Sequence, residues 1–139
     1  MKRAPVIDRE TIDMLREMDD VTDESDLLLE LIDDFLVHSA TLVTDIQHNA
    51  ETEAQSALAA TSHSLKGASL NIGALVLFKV CDKIEYMARN HDLGAAKAQL
   101  PELINAFQAT TTALTELRER SQRGELIDDL LGENIIDIS

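Results

Sequence analysis

Apolar residues recur at spacings of three and four along most of this chain, which is the pattern of amphipathic helices. The longest run covers residues 25–49 and predicts a helix of about seven turns. Its inward positions are Leu28, Leu31, Ile32, Phe35, Ser39, Leu42 and Ile46. A shorter helix is expected before it, capped by Asp8 or Thr11 and ending near Met18. The inward positions of that short helix would be Ile12, Leu15 and Met18.

Three more helical patterns follow. The first covers residues 53–72 and ends at a turn in which Gly73 is best able to adopt a positive φ. The second ends between Asn90 and Gly94, and its inward positions are Leu77, Val80, Cys81, Ile84 and Met87 or Ala88. In the third, Pro101 should cause a kink or a restart, because it removes a backbone donor. Its inward positions are Leu100, Leu103, Ile104, Phe107, Thr111, Leu114 and Leu117.

Short connections between long helices make neighbouring helices antiparallel, so the pattern predicts an all-α fold. We expect an antiparallel up-and-down four-helix bundle with a short N-terminal helix and a C-terminal extension. The bundle domain would cover residues 1–120, and an acidic and apolar extension would cover residues 121–139. A short helix, a partner-binding strand and a disordered segment are all open for this extension, and a partly ordered extension is favoured.

His63 lies almost opposite the predicted core face of its helix. On a wheel of residues 53–72 the core positions fall within roughly 80° of one another. These positions are Ala54, Leu58, Thr61, Leu65, Ser69 and Ile72. The helical neighbours of His63 are Ser56, Ala59, Ala60, Lys66, Gly67 and Leu70. Because most of them are small, a large partner could approach the imidazole.

Exposed histidines are usually only solvated, but three neighbours of His63 favour a function. The Lys66 ammonium is one turn away, where it could hold an anion that His63 attacks or carries. Gly67 costs about 1 kcal/mol relative to alanine within a helix, a cost that is explained if a partner must come close. Leu70 adds an apolar contact of the kind that docking surfaces use.

The stretch from Thr61 to Ala74 (TSHSLKGASLNIGA) resembles the core of a histidine-containing phosphotransfer (HPt) domain. The resemblance is specific over about residues 54–92, and the flanking helical pattern extends it to about residues 8–118. It also includes Cys81, Glu85 and Ala88-Arg89.

This resemblance implies a role for each residue around the histidine. His63 would be the phosphoacceptor, Lys66 would steady the phosphoryl group, and Gly67 would leave room for the donor. Further contacts to a receiver domain would come from Ala59, Ala60, Gly67, Leu70 and Lys83.

The resemblance further implies that the chain takes a phosphoryl group from a sensor or hybrid histidine kinase, or from a receiver-domain aspartyl phosphate. It would pass this group to a response regulator, and Nε2 of His63 would attack in line. No cofactor of its own is expected, because the receiver domain would supply Mg²⁺. The sequence contains no Gly-rich phosphate loop, so no autonomous kinase activity is expected.

Charge and composition narrow the class of partner. The net charge of −14 argues against nucleic acid, which attracts basic surfaces. Residues 66–97 are an exception, since they carry five cations and three carboxylates, and this locally basic strip would favour an acidic site or a phosphoryl group. No apolar run approaches the ~20 residues of a membrane span, and the single Cys81 fits a reducing compartment. We therefore expect a cytoplasmic monomer.

Two other classes of function were compared with phosphotransfer. A helical adaptor could bind a receiver domain or kinase through the same surface without accepting phosphate, but the presence of both His63 and Lys66 argues against it. A metal-binding bundle is less favoured, because paired Glu-x-x-His motifs are absent and the histidines are scattered. The pattern does not identify the cognate kinase or regulator. Met1 and a complete bundle favour a stand-alone protein over a fragment of a hybrid kinase.

Overall fold

The computed structural model describes residues 3–18, 27–123 and 135–137. Within them, six helices and two three-residue strands are present. In chain order these are β1 (Arg3–Pro5), α1 (Arg9–Glu17), α2 (Leu27–Glu51), α3 (Gln55–Ile72), α4 (Leu75–Arg89), α5 (Leu93–Ala98), α6 (Leu100–Gln122) and β2 (Ile135–Asp137). The predicted all-α class is confirmed.

Four long helices enclose the hydrophobic core. Helix α2 packs against α3 and α6, and α4 packs against the same two helices. These are the neighbours that an up-and-down bundle requires. Fully buried Ile32, Leu58, Leu77 and Leu114 supply one large side chain from each of the four helices. The core therefore holds α3 and α4 side by side, and the candidate site lies on this pair.

Most predicted inward positions of α2 are buried, and Leu31 is half-buried. The expected start of this helix at Ser25 lies outside the described residues. In α1, Ile12 and Leu15 are buried as predicted, but the expectation for Met18 is wrong, since this side chain is 63% exposed. Met18 is the C-cap residue of α1, so it lies at the end of the helix and not in the turns that Ile12 and Leu15 bury.

Gly73 ends α3 in the left-handed conformation, with φ of 78°, as predicted. The amide of Ala74 donates to the carbonyl of Ser69 over 2.8 Å, which satisfies one of the last carbonyls of the helix. On the other side, the amide of Asp8 donates to the Gly73 carbonyl over 2.7 Å. The turn between α3 and α4 thus also anchors the entry to α1.

The last two helices differ in detail from the prediction. Helix α5 was not predicted; Asp92 caps it by accepting a hydrogen bond from the amide of Ala95. Pro101 lies in the first turn of α6, so it marks a restart and not a kink. Along α6, Thr110 is fully buried and the predicted Thr111 only half-buried, because Ala106, Thr110 and Ala113 form part of the inward face.

The expected domain boundary at residue 120 falls inside the last turn of α6, which continues to Gln122. Within the extension, residues 135–137 form β2, which pairs antiparallel with β1 and places Ile136 opposite Ala4. Residues 3–5 and 135–137, which are far apart in sequence, therefore form one short two-stranded ribbon. In the part of the chain that the structure describes, no helix has the length and apolar character needed to span a membrane.

Candidate functional site

Helix α3 buries one face and exposes His63 on another. Its buried residues are Leu58, Ala59, Ser62, Leu65, Ser69 and Ile72. The side chain of His63 is 63% exposed, so the prediction that it points away from the core is confirmed. The imidazole is thus open to a partner while its helix is fixed by the core.

Glu85 of α4 orients the imidazole. Its Oε2 and Oε1 atoms lie 3.0 Å and 3.3 Å from Nδ1 of His63. An ionised carboxylate only accepts hydrogen bonds, so Nδ1 must carry the proton in this contact. In the neutral imidazole the other nitrogen, Nε2, then holds the free lone pair. This contact therefore leaves the Nε2 lone pair open to a partner.

Two cations hold Glu85 in its ionised form. Lys66 Nζ lies 2.7 Å from Oε1, and Arg89 approaches Oε2 with Nη2 at 2.8 Å and Nε at 2.9 Å. Burial alone would raise the pKa of this carboxyl, which is 9% exposed. The hydrogen bonds from Lys66 and Arg89 outweigh burial and lower the pKa below its ordinary value. Glu85 is therefore an anion at neutral pH.

Lys66 is bound to carboxylates in the structure. Besides Glu85, it contacts Asp82, with Nζ 3.3 Å from Oδ1. The hydrogen bond to Glu85 is the main cause that raises the pKa of Lys66, so the ammonium stays protonated. Lys66 was expected to be ready to bind an anion, whereas in the structure two carboxylates already engage its ammonium.

The contact residues predicted on α3 differ in solvent exposure. Ala60, Gly67 and Leu70 are exposed on the same side of α3 as His63. Among the described residues, a Cβ at Gly67 would meet no atom within 4 Å. Ala59 is only 5% exposed and belongs to the core cluster, so its expected place on the contact surface is wrong. The core face of α3 is wider than the wheel predicted, because α3 packs on both α2 and α4.

Lys83 is exposed but is not brought to His63. Residues 83 and 85 differ by about 200° around a helix, so they lie on opposite sides of α4. Lys83 Nζ instead lies 3.9 Å from Glu102 of α6. Lys97 similarly pairs with Glu53 over 3.0 Å. Much of the basic strip predicted for residues 66–97 is therefore matched by carboxylates.

Glu85 and Arg89 carry part of the family resemblance, but their ion pairs, like that of Asp82, were not predicted from the sequence. For Glu85 a signal was present, because it falls among the inward positions Cys81, Ile84 and Ala88 of α4. A carboxylate in such a place requires cationic partners. The described residues contain no group of three or more His, Cys, Asp or Glu side chains placed to hold a metal ion.

The chain is similar to known proteins in sequence and in fold. Residues 30–130 match the model of the Hpt domain family. The crystal structure of histidine-containing phosphotransfer protein B (HptB) from Pseudomonas aeruginosa PAO1 superposes with a TM-score of 0.75 and 27% sequence identity. The match covers 84% of this chain and 97% of that one. The fold is thus shared over nearly the whole bundle.

A curated relative is multistep phosphorelay regulator 1 of Schizosaccharomyces pombe (strain 972 / ATCC 24843), 31% identical over 80 residues. These residues are 58% of this chain and 27% of the relative, so the chain spans about a quarter of that protein. Together the matches support a histidine phosphotransfer role in a phosphorelay. Because the family match covers more than half of the sequence, the chain belongs to the Hpt domain family.

Proposed function

We propose that His63 is the phosphoacceptor of this Hpt protein and that it relays a phosphoryl group from a sensor or hybrid histidine kinase to a response regulator. The observation that carries the proposal is the contact between Nδ1 of the exposed His63 and the carboxylate of Glu85. It selects the tautomer in which Nε2 can attack. The other three histidines, His38, His48 and His91, are exposed but have no comparable hydrogen bond to a buried carboxylate within the described residues.

The transfer step follows from this tautomer. The Nε2 lone pair attacks the phosphorus of a receiver-domain aspartyl phosphate, and the phosphorus–oxygen bond to the aspartyl carboxylate breaks. The carboxylate leaves with the electron pair, and Nδ1 keeps its proton. The phosphorylated ring gains positive charge, which the anionic Glu85 stabilises. Reversal of these steps returns the phosphoryl group to a receiver domain.

The partner supplies the remaining chemistry in this proposal. The receiver domain contributes the acidic pocket and Mg²⁺, while this chain contributes the nucleophile and a surface with small side chains at Ala60 and Gly67. Leu70 provides an apolar contact that is 52% exposed. The chain itself acts as an intermediate and not as a kinase. It therefore contributes the orientation of the His63 imidazole and the negative charge of Glu85 to the reaction.

The test is to incubate the protein with phosphorylated receiver domains and with phosphoramidate, and to follow radioactive or mass-shifted phosphate. Wild type should acquire an acid-labile phosphoryl group from both donors. His63→Gln should fold normally, because an exposed side chain contributes little to the core, and it should accept none.

Matched controls are His38→Gln, His48→Gln and His91→Gln, each of which should accept phosphate like wild type. Label on His63→Gln would exclude His63 as the acceptor. Tight binding of a receiver domain by a wild-type chain that never becomes labelled would instead indicate a non-transferring adaptor.

A further inference from the structure

Lys66 is bound by two carboxylates of α4 that differ in exposure. Glu85 is 9% exposed, and its Oε1 atom lies 2.7 Å from Nζ. Asp82 is 60% exposed, and its Oδ1 atom lies farther away, at 3.3 Å. Glu85 also contacts His63 and Arg89, whereas within the described residues the Asp82 side chain contacts Lys66 and no other charged group. The two carboxylates therefore hold the same ammonium in different ways: Glu85 through a short, buried contact and Asp82 through a longer, exposed one.

Phosphorylation would place a new dianion one helical turn from Lys66. An ammonium has three donors, and Glu85 and Asp82 already engage two of them. The Glu85 contact keeps Lys66 beside the imidazole, because Glu85 itself binds Nδ1. The Asp82 contact instead directs Lys66 toward a residue one turn earlier on α4. It is also the weaker contact, since exposed ion pairs are screened by solvent.

We propose that Asp82 is a positioning residue that competes with the incoming phosphoryl group for Lys66. The proposal rests on the proposed function of His63. Release of Asp82 lets the ammonium turn toward the phosphoryl oxygens in the transition state, while Glu85 continues to hold the lysine near the ring. The strength of the Asp82–Lys66 pair thus sets how often Lys66 is available, and with it the rate at which His63 accepts phosphate.

Asp82→Asn should accelerate phosphoryl acceptance from phosphoramidate by about two- to fivefold, the range that an exposed ion pair supports. In this reaction Nε2 attacks phosphorus, the phosphorus–nitrogen bond of the donor breaks, and ammonia leaves. Asp82→Glu should remain near the wild-type rate because it restores a carboxylate. Asp45→Asn is the matched control, since Asp45 is an exposed carboxylate of α2 and its loss changes the net charge equally.

A double-mutant cycle with Lys66→Ala separates competition from simple charge repulsion. If Asp82 acts through Lys66, Asp82→Asn should have no effect on the acceptance rate in the Lys66→Ala background. An equal acceleration in both backgrounds would overturn the proposal, because it would mean that Asp82 repels the donor directly. A wild-type rate for Asp82→Asn in the presence of Lys66 would also overturn it.

The same samples distinguish this inference from the function on which it rests. Peptide mapping of the wild-type product identifies the labelled histidine. Label on His63 with no effect of Asp82→Asn rejects the role of Asp82 and leaves the proposed function intact. Label on another histidine rejects both.

Discussion

Glu85 contacts three side chains that carry or can carry positive charge, so its own ionisation should affect the stability of the fold. Its pKa is lowered in the folded protein from an ordinary value of 4.5, because the hydrogen bonds from Lys66 and Arg89 outweigh the cost of burial. A carboxyl with a lowered pKa stabilises the folded state above its unfolded pKa. That stabilisation is lost as the pH falls through the lowered folded pKa.

We therefore predict that Glu85→Gln lowers the free energy of unfolding at pH 7 by roughly 1–2 kcal/mol, as expected for loss of charged hydrogen bonds. The difference from wild type should stay constant down to about pH 5 and shrink below 4.5, because the carboxyl is protonated first in the unfolded chain and only at lower pH in the folded protein. Urea unfolding between pH 3 and pH 7 measures this difference.

The control for this series is Glu102→Gln. Glu102 is 57% exposed and lies 3.9 Å from Lys83, so its loss should change stability little at any pH. A Glu85→Gln difference that stays constant from pH 7 to pH 3 would contradict the account of a carboxylate held ionised by its neighbours.

At the scale of single residues, the sequence predicted the exposed position of His63, because its side-chain direction follows from helical periodicity. It did not predict the burial of Ala59, since a wheel does not tell whether one or two neighbouring helices pack on a face. The partners of Glu85 were also not predictable from spacing within one helix. His63 and Lys66 reach Glu85 across the interface between α3 and α4, so the contact depends on helix register.

Within helix α3, packing does not require a glycine at position 67. A Cβ there meets nothing within 4 Å in the part of the chain that the structure describes. Gly67→Ala should therefore raise stability by about 1 kcal/mol, and Gly67→Leu should also raise it, through helix propensity. Transfer from a receiver domain should nevertheless fall on the order of 100-fold in Gly67→Leu, because the isobutyl group would displace the partner by about 1 Å.

Phosphoramidate needs no docking surface, so Gly67→Leu should lose much less activity with this donor. Gly67→Ala is the control, because it raises helix stability but adds only a methyl group to the docking surface. If a receiver domain transferred phosphate to Gly67→Leu at the wild-type rate, that result would contradict the assignment of this surface to docking. Unfolding of the variant would contradict the exposed position itself.

Gly73 is the opposite case, since its conformation is required by the turn between α3 and α4. Its φ is +78°, and a Cβ would lie 2.8 Å from the Cβ of Thr11 in α1. Gly73→Ala should therefore lower the free energy of unfolding by about 1–3 kcal/mol. Thermal and urea unfolding of Gly67→Ala and Gly73→Ala should show changes of opposite sign. A stable Gly73→Ala variant would show that α1 is not fixed against this turn.

Element boundaries were predictable where the sequence contains strong signals and missed elsewhere. Gly73 and Pro101 marked the end of α3 and the start of α6. In the connections after α2 and α4, Glu53 and His91 adopt positive φ angles of 57° and 59°. Because neither residue is a glycine, the sequence gives no signal of a turn at these positions. Helix α5 was also missed, because six residues are too few to establish a helical period.

For the whole molecule, the predicted arrangement of four long helices follows from the number and length of the amphipathic patterns. The pairing of β1 with β2 was not predictable, since it joins three-residue segments from the two ends of the chain. Local patterns carry no information on such distant pairing. The same limit applies to charge, because the basic strip was evident in sequence whereas its neutralisation by Glu53 and Glu102 required the fold.

In the proposed function, the bundle presents Nε2 of His63 for phosphorylation while Glu85 keeps the proton on Nδ1. Nitrogen-15 and phosphorus-31 NMR of the labelled protein, after phosphorylation by a receiver domain, identifies the nitrogen that carries the phosphoryl group. We expect one phosphorus–nitrogen coupling, to Nε2 of His63, and a protonated Nδ1. A phosphoryl group on Nδ1, or on His38, His48 or His91, would contradict it.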